Sequence, residues 1–124
     1  MKDIVTYITE GKKLSKQDVI SLFKTINWDL EYDSHEEADG YVLDLYNISS
    51  KDINKKLMLI VSTEDNEFWI SDGPTNYFYD SKDEPGWIYD DRYPEGFHIH
   101  MKLTPAYIKK VLTKDNYKDF LSVI

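Results

Sequence analysis

The 124 residues make one domain's worth of chain, and 41% of them are apolar, enough to bury a core and too many for intrinsic disorder. Acids outnumber Lys and Arg by 23 to 15, so a net charge of −8 works against direct DNA or RNA binding and attracts basic partners. There is no cysteine, which excludes disulfides, thiolate metal sites and thiol nucleophiles. No apolar run approaches the roughly 18 residues of a membrane span, and the start lacks the apolar core of a secretory signal. A cytoplasmic, non-membrane protein is expected.

The first element follows Ser15. With Asp18 three residues on, it makes a capping-box start, and Val19, Leu22, Phe23 and Ile26 recur at helical spacing. This predicts a helix over 16–27. The acids Asp29, Glu31, Asp33, Glu36, Glu37 and Asp39 then read as a solvated linker. Residues 41–48 are rich in β-formers and predict a strand. Residues 56–63 are apolar on both parities, as a central strand buried on both faces would be, and 67–72 return as its hairpin partner after Asp65-Asn66. Gly73-Pro74 ends that strand.

Residues 74–96 mix aromatics, acids, Pro and Gly and predict a long loop with one short strand near Gly86–Tyr89. The strict alternation of Phe97, Ile99, Met101 and Leu103 against His98, His100 and Lys102 predicts a strand over 96–103. Thr104-Pro105 opens a helix, and Asp115 caps a last one over Asn116–Val123. The expected fold is α+β: an antiparallel sheet of three to five strands with an N-terminal helix and two C-terminal helices.

Charge is unevenly distributed. Residues 28–48 hold seven acids and no Lys or Arg, and residues 64–95 hold ten acids against Lys82 and Arg92. Within the second block Tyr77, Tyr79, Trp87, Tyr89 and Tyr93 alternate with Asp83, Glu84, Asp90 and Asp91. Aromatic anchors ringed by carboxylates suit a protein partner with a basic surface. The same rings can instead fold inward and plug the sheet.

Catalytic signals are weak. His98 and His100 share one strand face at a spacing that metal sites use, with His35 or a carboxylate as a third ligand, but an ordinary solvated face fits the pattern too. Neighbouring acids such as Asp83-Glu84 and Asp90-Asp91 are expected by chance in so acidic a chain. No glycine-rich phosphate loop and no nucleophile elbow is present. No cofactor, no metal and no catalytic residue is expected; the alternative is a small enzyme or small-ligand binder built on His98 and His100.

The first ten residues, MKDIVTYITE, bring a different signal. Met1, Lys2, Tyr7, Ile8 and Glu10 fall in the order and at the length of the head-targeting propeptide of T-even-type bacteriophage internal head proteins, and the segment resembles it. Those propeptides end in aromatic–Ile–x–Glu and are cut after the Glu by the phage prohead protease; Tyr7 stands where Phe is more familiar. The resemblance covers ten of 124 residues. It implies cleavage between Glu10 and Gly11, a propeptide over 1–10 and a single acidic domain over 11–124. It further implies packaging in the phage virion interior, delivery to the host cytoplasm and a role against host defence. The small, acidic, cysteine-free domain without a catalytic signature suits a non-enzymatic binder or inhibitor of a host defence factor, such as a nucleic-acid-binding enzyme. A bacterial immunity protein that neutralises a basic toxin is a further alternative.

Overall fold

A computed structural model describes residues 14–38, 40–80, 85–90 and 101–124. Their elements run α1 (Lys16–Lys24), β1 (Asp29–Ala38), β2 (Tyr41–Ser49), β3 (Leu57–Ser62), β4 (Glu67–Ser71), β5 (Asn76–Asp80), β6 (Gly86–Asp90), β7 (Met101–Lys102), α2 (Pro105–Val111) and α3 (Lys114–Val123). The protein is α+β: the described residues form one antiparallel sheet with one helix before it and two after it. Among them the sheet has seven strands, more than the three to five expected.

The first six strands form a meander in chain order, each paired antiparallel with the next. Both β5 and β7 pair with β4: β5 at Ile70 and Ser71, β7 at Glu67 and Phe68. The sheet therefore forks at β4, and β5–β6 diverge from the path of β7.

Two segments depart from the sequence reading. The acidic stretch is the edge strand β1, not a linker: Leu30 and Tyr32 alternate with acids, and a bulge between Tyr32 and Ser34 then shifts the register. Residues 76–80 are β5 rather than loop, because their aromatics supply two buried faces. β6 matches the short strand expected near Gly86. Of the strand expected over 96–103, only Met101–Lys102 and Leu103 fall among the described residues.

Helix boundaries shift modestly. Ser15 and Asp18 close the capping box, with Asp18 N–H donating to Ser15 Oγ at 3.2 Å and Ser15 N–H to Asp18 Oδ2 at 3.0 Å. The helix stops at Lys24, earlier than expected, as the chain turns through Asn27 at φ 63°. α3 starts at Lys114, with Thr113 rather than Asp115 as its N-cap.

The core lies between the helices and one sheet face. Phe23 of α1 meets Phe68 edge-on at 5.4 Å. Phe120 of α3 centres an aromatic cluster with Trp87 at 4.5 Å, Trp28 at 5.9 Å, and Tyr77 and Tyr117 at 6.3 Å. Polar contacts lock both C-terminal helices to β6: Asp119 Oδ2 of α3 accepts from Trp87 N–H at 2.8 Å, and the Trp87 indole donates to the carbonyl of Val111, at the end of α2, at 3.3 Å. None of the described helices is long and apolar enough to cross a membrane.

Candidate interaction face

Strand alternation sorts the sheet's side chains onto two faces. Leu30, Tyr46, Ile48, Leu57, Leu59, Val61, Phe68, Ile70, Tyr77, Tyr79 and Trp87 share the face that receives the helices, as their cross-strand partners and ring contacts show. The opposite, open face, on which none of the described helices packs, carries Leu43, Leu45, Met58, Ile60, Trp69, Phe78 and Ile88. Leu43, Trp69 and Phe78 are buried there too, whereas Leu45, Met58, Ile60 and Ile88 are partly exposed.

Charge is unevenly shared between the two faces. The open face carries Glu31, Asp33 and Glu36 from β1, Glu67 from β4, Asp80 from β5 and Asp90 from β6, against Lys102 of β7. Asp29 is instead paired with Lys24 of α1, and Glu37 and Asp44 lie with His35 on the other face. Lys102 lies 3.9 Å from Glu67. Asp33, at the bulge, accepts from Ser34 Oγ at 2.9 Å and Asn47 Nδ2 at 3.5 Å. The three described helices, in contrast, carry six lysines and three aspartates. Two acidic blocks distant in sequence thus meet on one surface, and the helical layer behind it is basic.

A groove of about 350 Å³ crosses this face, floored by Leu43, Leu45, Met58 and Ile60 and reaching from Glu36 on β1 to the Gly73-Pro74 turn. That turn is held from several sides. Asp72 Oδ1 accepts from Thr75 N–H at 2.9 Å, and Ser71 Oγ accepts from Gly73 N–H at 3.1 Å. Gly73 sits at φ 111°, where a side chain would be strained. Asp72 Oδ2 also takes Lys55 Nζ at 2.8 Å and the Tyr77 hydroxyl at 2.9 Å.

Burial pushes the Asp72 carboxyl up, but the Lys55, Tyr77 and Thr75 hydrogen bonds outweigh it and hold its pKa below the ordinary carboxylate value. Tyr77 is raised, by burial first and by Asp72 as well; Lys55 is raised by its bond to Asp72. A carboxyl depressed in the folded state stabilises above its unfolded pKa of about 4, and that contribution disappears as pH falls through the folded value. Asp72→Asn is therefore expected to be less stable than the wild type near pH 7, with the gap closing as pH falls from the ordinary carboxylate range through the lower folded-state value. Urea melts across that range measure the difference. A gap that stays constant as the pH is lowered through the acid range would show that Asp72 acts through shape alone.

The residues singled out in the sequence fall in different places. Tyr77, Tyr79 and Trp87 are buried in the helix-facing core, Tyr79 donating to Asn116 Oδ1 at 3.3 Å. Their rings are not surface anchors. Tyr89 is 66% exposed at the sheet's far edge, and Asp90 is partly exposed beside it. Tyr7, Ile8, Glu10, Gly11, Asp83, Glu84, Asp91, Tyr93, His98 and His100 lie outside the described residues.

His35 is placed by β1, its Nδ1 2.9 Å from Asp44 Oδ1 and its Nε2 3.9 Å from Glu37 Oε1. Tyr32 donates to the same Asp44 oxygen at 3.3 Å, and Lys16 lies 3.9 Å over the Tyr32 ring. Nearby, burial and then Asp44 and Tyr32 push the Tyr46 hydroxyl pKa well up. These contacts tie α1, β1 and β2 together. Among the described residues no three His, Asp or Glu side chains group as metal ligands.

The groove was not anticipated from the sequence. Its signal was the apolar character of residues 57–61 on both parities: Leu57, Leu59 and Val61 meet the helices, while Met58 and Ile60 remain partly open on the other side. Comparison with protein-family models, curated proteins and solved structures returned no match.

Proposed function

We propose that this is a phage-encoded accessory protein that binds and inhibits a host defence factor with a basic surface, without catalysis of its own. The division of charge across the sheet carries the reading. An acidic face backed by basic helices orients an approaching basic partner, which a uniformly acidic surface does not do. The likeness of residues 1–10 to a head-targeting propeptide supplies the phage assignment, and with it storage inside the virion followed by release into the host cytoplasm. A nucleic-acid-binding enzyme suits such a face, because its own binding channel is basic.

Two measurements test this. Mass spectrometry of purified particles is expected to find the chain beginning at Gly11, protected from external protease; its absence from particles would defeat the packaging claim. Capture from host lysate, with identification of the bound protein, is expected to yield a basic protein that Glu31→Lys with Glu36→Lys no longer retains. Capture that survives this reversal, or selects an acidic protein, would defeat the binding claim.

A further inference from the structure

The open-face groove combines three properties that the acidic surface alone lacks. Its floor is aliphatic, with Leu45, Met58 and Ile60 partly exposed although they lie at the centre of the sheet. Its volume of about 350 Å³ falls within the range of ligand-sized pockets, roughly 300–1,000 Å³. Its far wall is the turn after β4, pinned by Asp72, Ser71 and Lys55 rather than left to move. A preformed apolar slot loses little conformational entropy when occupied.

Its surroundings select the occupant. Glu36 lines one end, and Glu31 and Asp33 lie along the same edge strand, so an occupant with carboxylates is repelled and one with cations is attracted. A second copy of this chain would set acidic edge against acidic edge. The groove also crosses strands β1 to β4, so its occupant lies over the side chains rather than adding to a strand edge.

We infer that the groove binds an extended segment of the partner in which one or two large apolar side chains are flanked by Lys or Arg. The inference rests on the basic-partner reading and specifies how that partner is held: the apolar side chain fills the slot over Leu45 and Ile60, and the flanking cations meet Glu36, Glu31 and Asp33. Desolvated contact in the slot sets the residence time, whereas the carboxylates set the encounter rate.

A labelled peptide, Lys-Lys-Leu-Trp-Leu-Lys-Lys, serves as probe in fluorescence anisotropy with the full chain. Two controls replace its Leu-Trp-Leu by serines or its lysines by glutamates. Both controls are expected to bind at least tenfold more weakly than the probe. Ile60→Asn and Leu45→Ser are expected to weaken the probe at least tenfold, and amide shifts in NMR are expected at Leu43, Leu45, Met58 and Ile60. Thermal melts of both variants confirm folding, and either folded variant suffices.

Equal binding of the serine control would overturn the inference, as would shifts centred on Tyr89 and Asp90. Doubling of the sedimenting mass, with shifts in the groove and no peptide bound, would assign the groove to a second copy and overturn it too. Lysate capture separates the two proposals. If capture is lost on Glu31→Lys with Glu36→Lys but unchanged by Ile60→Asn, the groove inference fails and the basic-partner reading stands.

Discussion

Trp87→Ala is expected to destabilise the domain by about 3–5 kcal/mol, the range for truncating a large buried aromatic. Trp87 is 5% exposed, its ring centre lies 4.5 Å from Phe120, and its indole N–H donates to the Val111 carbonyl. Alanine removes the ring from the aromatic cluster, opens a cavity between β6 and α3, and leaves that buried carbonyl without its donor. In a domain of total stability about 5–15 kcal/mol this is a large fraction, equivalent to a fall in Tm on the order of 10–20 °C. Tyr89→Ala, two residues along the same strand, is expected to cost less than about 1 kcal/mol because the ring is mostly solvated. Thermal and urea melts of the two variants make the comparison. Equal, small losses would place Trp87 at the surface and contradict the packing of α3 on β6.

That contrast also explains what the sequence made legible. The helix starts at Ser15 and Thr104 were readable because capping depends on residues within one turn. β3 and β4 were readable because apolar runs and an Asp-Asn turn are local signals. The division of Tyr77, Tyr79, Trp87 and Tyr89 between core and surface was not, because it depends on where α3 lands. Phe120 and Asp119 arrive at β6 from more than 30 residues away, and nothing in residues 76–90 encodes them. The strand at 29–38 was hidden for another reason. Its acids suit a solvated edge, and the bulge after Tyr32 breaks the period-two pattern just where it would have become visible.

The open face itself could be anticipated only as two acidic blocks, since pairing β1 with β2 and running the meander to β6 is what brings them together. Its groove was half legible: the two-sided apolar pattern of β3 marked a strand buried on both faces, but partial exposure of Met58 and Ile60 depends on what the rest of the chain leaves uncovered.

Neutralising Glu31, Asp33 and Glu36 together, as Gln, Asn and Gln, is expected to slow association with a basic partner by about tenfold at low ionic strength. Alternate residues on a strand lie roughly 7 Å apart, inside the Debye length of about 8 Å at physiological salt, so these carboxylates act on an approaching cation together. At about 1 M salt the Debye length shrinks to about 3 Å, and the association rates of wild type and variant are expected to converge. Dissociation is expected to change little, since it is governed by desolvated contacts rather than by rim charges. The same spacing makes the acids repel one another in the folded state, where β1 holds them in register along an edge. The neutral variant is therefore expected to melt higher than the wild type at low salt, with the gain fading as salt is added. Surface plasmon resonance and thermal melts in matched salt series read the two effects. Slower association together with higher stability would mean that the chain retains a destabilising cluster that its binding requires. An unchanged association rate at low salt would remove the open face from recognition, and a lower melting temperature would show that the carboxylates serve the fold instead.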